Sequence, residues 1–187
     1  MQCVIYSGPD VKYADAEICV TNDYKTVSVW DVSDKENPIE LASKGYANAD
    51  LAHQGWFTED QRYFIMGDEG DELNGLNTTT YIWDMSHLET PVLTGTYVAD
   101  LRATDHNLYI EGNYVYQANY SSGLRILLIE DLSVPRLSEQ AYFDTYPRDD
   151  DPSYSGAWSV FPYYASDTVA VSSSSGLFLL RPTFATE

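Results

Sequence analysis

Positive charge is scarce in this sequence. Lys and Arg together number 10 against 29 Asp and Glu, giving a formal net charge of −19 over 187 residues. Such a chain is repelled by nucleic acid and by anionic membrane surfaces, which argues against both as partners. The same charge attracts cations, Ca²⁺ in particular, whose preferred ligands are carboxylate and carbonyl oxygens; it also serves simply to keep a surface solvated. Long apolar runs are missing as well. No stretch reaches the roughly 18 residues a membrane-spanning helix needs. The opening residues MQCVIYSGPD lack the basic start and apolar core of a signal peptide. An extracellular placement therefore requires a leader upstream of Met1. No Gly-x-Gly-x-x-Gly or Gly-Lys-Ser/Thr phosphate loop occurs, and no Gly-x-Ser-x-Gly nucleophile elbow. Paired carboxylates for glycoside cleavage do not stand out among so many acids. Sustained helical spacing is absent too. Cysteine is limited to Cys3 and Cys19, a pair that suits one disulfide in an oxidising compartment.

What the chain has in quantity is aromatic and β-branched residues, with 16 Tyr and an aromatic share of 14%. These side chains fit a pleated, half-buried surface and favour strands. The pattern repeats. Trp30-Asp31 lies eight residues before Pro38, and Trp83-Asp84 eight before Pro91; His53 lies fifteen after Pro38, and His106 fifteen after Pro91. A third copy sets Leu127-Leu128 eight before Pro135, with Gly156-Ala157-Trp158-Ser159 as its counterpart of the His strand. The Pro-to-Pro periods of 53 and 44 residues suit blades of a β-propeller, each built of four short strands. The expected fold is all-β: a partial β-propeller of about three and a half four-stranded blades, roughly 17–47, 52–98, 105–143 and 156–182. The first blade is read as beginning at Glu17, and the last as lacking a fourth strand. Pro38, Pro91 and Pro135 stand just before outer strands, where a missing N–H is tolerated. Trp30 and Trp83 are read as blade core. Three and a half blades do not close a ring, so missing N-terminal blades of the same protein are the expected partner.

Several stretches carry a resemblance. QCVIYSGPD, HQGWFTEDQRYF, NTTTYIWDMS, TDHNLYIEGNYVYQANYSSGLRIL, GAWSVFPYY and SGLFLLRP, in that order from Gln2 to Pro182, resemble the C-terminal portion of choice-of-anchor B family proteins, which are built of LVIVD-type propeller repeats. The resemblance implies a secreted or cell-surface protein, further blades before Met1, and a molecular activity that is undefined for the family. The third repeat departs from the pattern, because Leu127-Leu128-Ile129-Glu130-Asp131 replaces the usual Asp-containing strand end.

Three places can carry chemistry. His53 and His106 open equivalent first strands, which line a propeller's central channel. With Gln54, Asp105 and Asn107 they are expected to converge at the channel mouth on a ligand or a metal. Imidazole suits Zn²⁺ or Cu²⁺, with Asp105 as a further ligand or orienting partner. The competing use is structural: each His fixes its strand by bonding a neighbouring blade's backbone. The second place is Asp68, Glu69, Asp71, Glu72 and Asn74, five oxygen-bearing residues within seven positions that can wrap Ca²⁺, although they do not match the EF-hand pattern. The third is the insertion Arg148–Tyr154, which lies on the same face as the His loops and can shape a binding mouth. Asn77-Thr78-Thr79 and Asn119-Tyr120-Ser121 fit the N-glycosylation pattern. The leading functional expectation is a binding or adhesion scaffold whose loops meet protein or glycan. The alternative is a metal-dependent hydrolase or lyase using His53, His106 and Asp105.

Overall fold

Strand alternation sends successive side chains to opposite faces, and in this chain both faces are apolar in the middle of the molecule. In Tyr63–Asp68 every residue is buried. Tyr63 and Ile65 pack to one side, and Phe64 and Met66 to the other. A sheet buried on both faces must be sandwiched between two others. That is what the computed structural model shows; it describes residues 1–184.

Among the described residues, fifteen strands form four antiparallel sheets, each wound in chain order. The first holds β1 (Gln2–Ile5), β2 (Glu17–Asp23), β3 (Thr26–Asp31) and β4 (Ile39–Gly45). The second holds β5 (Ala52–Phe57), β6 (Tyr63–Asp68), β7 (Thr79–Asp84) and β8 (Val92–Val98). The third holds β9 (Asn107–Glu111), β10 (Tyr114–Ala118), β11 (Leu124–Asp131) and β12 (Arg136–Phe143). The fourth has three strands, β13 (Ala157–Phe161), β14 (Val169–Ser173) and β15 (Gly176–Leu180). Three apolar clusters lie between successive sheets. First strands touch first strands, β1 on β5, β5 on β9 and β9 on β13, so the sheets fan around a common line. This is the architecture of a partial β-propeller.

Side-chain amides stitch neighbouring first strands together. The Leu108 amide donates to Gln54 Oε1 at 2.6 Å, and the Phe57 amide donates to Gln2 Oε1 at 2.7 Å. Gln2 thus does for the first sheet what Gln54 does for the second. This corrects the expectation that the first blade begins at Glu17: Gln2–Ile5 is its innermost strand. It pairs Cys3 directly with Cys19, and the two are joined by a disulfide. Such a bond suits an oxidising compartment outside the cytosol. No helix among the described residues is long and apolar enough to cross a membrane.

Two further expectations are revised. Trp83 is 2% exposed, but Trp30, at the equivalent position, is only half-buried. Trp83 faces the first sheet, whereas Trp30 faces outward beside Cys19 and donates to Thr21 Oγ1 at 3.2 Å. The third repeat also keeps its aspartate. Asp31, Asp84 and Asp131 each accept from the amide two residues on, that of Ser33, Ser86 and Ser133, at 2.8–2.9 Å. Each also pairs with the first residue after the repeat's proline. The third turn is shorter, so Asp131, rather than Leu127-Leu128, aligns with Asp31 and Asp84.

Candidate functional site

His53 and His106 sit at the mouth end of β5 and β9, and their rings stack with centroids 4.4 Å apart. Each Nδ1 is committed. His53 Nδ1 donates to the His106 carbonyl at 3.2 Å, and His106 Nδ1 donates to the Trp158 carbonyl. Each histidine therefore bonds the backbone of its counterpart in the next sheet, and Trp158 takes the third repeat's place. A carbonyl only accepts, so both Nδ1 atoms carry the proton, and in the neutral rings both Nε2 atoms present bare lone pairs.

Those lone pairs face a carboxylate. Glu69, at the end of β6, places Oε2 3.4 Å from His53 Nε2 and Oε1 3.8 Å from His106 Nε2. Glu69 is 8% exposed and accepts the Tyr120 hydroxyl at 2.5 Å on Oε1. Three acceptors this close together repel one another unless a cation joins them. Burial holds the His106 pKa below the ordinary histidine range, working against a proton as that cation. The ligand atoms of His53, Glu69 and His106 all lie within 4.8 Å of one another. Two ligand atoms held at about 2.1 Å by a tetrahedral Zn²⁺ stand roughly 3.4 Å apart, so the set closes on a transition-metal dication by drawing its more distant atoms together and turning the stacked rings.

Tyr120 is positioned at some cost. Its backbone has φ +28°, and its carbonyl accepts from the Ala157 amide at 2.8 Å. A side chain at Gly156, where φ is +108°, would overlap that carbonyl. Tyr24 repeats the arrangement two sheets earlier, with φ +49° and its carbonyl taken by the Ala52 amide. Backbone strain retained at a site marks a position the surroundings over-determine.

The other predicted residues are placed differently. Gln54 serves the strand-to-strand bond described above, and Asn107 opens β9 opposite Ala118. Asp105 turns away from the histidines. It is 3% exposed, its amide donates to Glu72 Oε1 at 3.2 Å, and both its carboxylate oxygens lack a hydrogen-bond donor. The five residues of the acidic loop do not gather on one point. Asp68 is saturated by the amides of Asp50, Leu51 and Gly70 and the Tyr46 hydroxyl. Glu69 goes to the histidines, and Asn74 donates to Asp50 and to the Gly70 carbonyl. Asp71, bonded by the Tyr81 hydroxyl at 2.6 Å, and Glu72 are buried near Asp105. Burial pushes Asp71 up to about 7 and Glu72 up to about 9. Asp105 is raised well above the carboxylate range by burial and then by Glu72. Asn119 is 2% exposed, which closes that glycosylation motif in the folded chain.

Sequence reasoning missed Tyr120 and Trp158 as parts of the site, whereas Tyr154 belongs to the insertion it expects to shape the mouth. The rings of Trp158 and Tyr154 lie 5.2 and 5.4 Å from that of Tyr120. The insertion at residues 148–155 delivers Tyr154 and is pinned by Ser121 Oγ donating to the Asp151 carbonyl at 2.9 Å. Glu69 and Tyr120 are buried while Trp158 and Tyr154 at their border are exposed; a cleft of about 660 Å³ lies at the far ends of the same strands, between Thr58 and Ser133.

Stacked four-stranded antiparallel sheets with their first strands inward define a β-propeller-like protein, and comparison with solved structures agrees. A Lactobacillus plantarum protein matches with a TM-score of 0.61 at 15% identity, over 88% of this chain and 53% of that one. The periplasmic gluconolactonase of Pseudomonas aeruginosa matches with a TM-score of 0.61 at 14% identity, over 83% and 46%. The computationally designed Ika4 protein matches with a TM-score of 0.53 at 14% identity, over 88% and 84%. The chain thus spans about half the length of the first two. No protein-family model matches it.

Proposed function

We propose that this chain belongs to an extracytoplasmic propeller that holds a divalent transition metal at its channel mouth and acts as a metal-dependent hydrolase. The observation that carries this is the gathering of two Nε2 atoms and one carboxylate within 4.8 Å of one another, with both Nδ1 atoms bonded to backbone carbonyls. Two histidines and a glutamate form a ligand set that leaves a position open for water or substrate. The bound ion would supply a Lewis acid and a water of lowered pKa. His53, His106 and Glu69 would hold it, and Tyr120 would orient Glu69. The Cys3–Cys19 disulfide and the resemblance to choice-of-anchor B proteins support an extracellular or cell-surface setting. A hydrolase among the proteins of similar fold is compatible with this reading, but the fold hosts many activities and cannot choose among them.

The test is metal content. Purified chain exposed to Zn²⁺ or Cu²⁺ and then desalted should carry one ion per chain by mass spectrometry. His106→Ala and Glu69→Gln should each carry far less. An ion-free protein after both exposures ends the proposal. A second reading, a scaffold that captures a protein or glycan ligand, is favoured by the exposed aromatic rings of Trp158 and Tyr154. The two separate on turnover: hydrolysis of a neutral ester such as p-nitrophenyl acetate that is lost with EDTA supports the enzyme, whereas metal binding without turnover supports the scaffold.

A further inference from the structure

Two open aromatic rings border the proposed metal. Trp158 is 45% exposed and Tyr154 50%, whereas Tyr120 between them is 1% exposed. Both stand edge-on to Tyr120, at interplanar angles of 81° and 76°. The Trp158 ring also lies 5.5 Å from that of His106. Large aromatic surface left in water beside two histidine Nε2 atoms and a carboxylate points to a ligand that covers it. We infer that the mouth takes a neutral, oxygen-rich ring compound, a saccharide, packed on Trp158 and Tyr154 with its oxygens directed to the metal.

This inference rests on the metal reading above, and charge narrows the class. The insertion that carries Tyr154 also exposes Asp149, Asp150 and Asp151, and the whole chain carries a net charge of −19. An anionic ligand is repelled at the rim. A cationic ligand is drawn to acids and to aromatic faces, but on Trp158 it would lie against a dication. A neutral ligand meets neither penalty. The flat C–H face of a sugar ring suits an indole or phenol surface, and its polar edge supplies oxygens for the ion.

The test uses one ring in three charge states. Neutral methyl β-D-glucopyranoside and the matching galactoside and mannoside, cationic D-glucosamine and anionic D-glucuronate are titrated by calorimetry into Zn²⁺-treated protein at pH 7. Metal content is measured in parallel. At least one neutral glycoside should bind about tenfold tighter than either charged sugar. Trp158→Ala and Tyr154→Ala should each weaken it by about tenfold, in line with the energy of an aromatic contact, with the zinc content unchanged. Trp158→Phe should retain most of the binding. Charged sugars binding as well as the neutral ones, or alanine variants binding as well as the parent, overturns the inference. Zinc retained without any neutral glycoside binding sinks the aromatic subsite and leaves the metal reading standing. Glycoside binding that depends on Trp158 in a chain holding no zinc supports the subsite and sinks the metal reading.

Discussion

Glu69 is where the chemistry of single residues is most constrained. Its Oε1 is held by the Tyr120 hydroxyl at 2.5 Å, and its Oε2 faces His53 Nε2 at 3.4 Å. A hydrogen bond that fixes a ligating carboxylate commonly contributes 10–100-fold in metal affinity. Tyr120→Phe should therefore lower zinc affinity by about tenfold or more while leaving the stoichiometry at one when metal is in excess. A competition titration with a chromogenic chelator reads this, and an unchanged affinity would remove Tyr120 from the site. The buried acids behind Glu69 give a second expectation. Asp71 and Glu72 are raised to about 7 and about 9 by burial, while in the unfolded chain such groups titrate near 4. The folded state therefore binds more protons across this window. The resulting stability is fully present below about pH 4 and is lost as pH rises through about 7 and then about 9. Thermal melts of metal-free protein should show Tm falling by about 5 °C or more between pH 5 and pH 9, at roughly 2–4 °C per kcal/mol for a chain of this size. Glu72→Gln should flatten that slope, whereas Glu36→Gln, at an exposed position, should not. Equal slopes in the two variants would assign the pH response to overall charge instead.

At the scale of strands and turns, two local features hold the site's frame. Gly156, at φ +108°, lets the Ala157 amide reach the Tyr120 carbonyl. Gly156→Ala combines backbone strain with overlap and should destabilise by about 1–3 kcal/mol, lowering both Tm and zinc affinity; a neutral substitution would mean that the Tyr120 turn is not fixed from this side. The Cys3–Cys19 bond closes a loop with a sequence separation of 16, worth about 3 kcal/mol in the chain-entropy account. Cys3→Ser should speed hydrogen exchange in β1 and β2 while leaving β10 protected. How much of this was legible follows from what each element shows locally. Repeated Trp-Asp, Pro and His spacings expose the blades of the first three sheets, because each is a local pattern of adjacent strands. β1 was hidden, since Gln2–Ile5 is short and declares itself only through its pairing with Glu17–Val20 and the Gln2 bond to Phe57. The two histidines were found by their repeat positions. Their acid was misassigned because the Asp105 neighbour in sequence points away, while Glu69 arrives from a different loop. Whether adjacent acids face a metal, a backbone amide or one another depends on how the loop folds, which no spacing reveals. Tyr120 was missed because a turn tyrosine carries no signal of where its hydroxyl goes; its likeness to Tyr24 emerges only from the shared bridge to the next sheet.

For the whole molecule the decisive feature is the contrast between buried and bare sheet faces. Inner sheets are covered on both sides, but the fourth sheet is covered on one. Val160, Val169 and Val171 pack against the third sheet. On the other face Leu177 and Leu179 are 69% and 65% exposed, and Phe161, paired with Ala170 on that face, is 44% exposed. An apolar face of this kind is a surface for another sheet, and we read further blades of the same protein as its natural cover. Without them, the chain should self-associate through this face in a concentration-dependent way. Analytical ultracentrifugation of Leu177→Lys/Leu179→Lys should show the monomer favoured by about tenfold or more in the association constant, since each buried leucine contributes about 1.5–3 kcal/mol. These two side chains do not pack in the described interior, so melting of the double variant should stay cooperative and its zinc content unchanged. If parent and variant sediment alike as monomers across the same concentrations, the face is not a packing surface, and the ring argument for further blades loses its physical support.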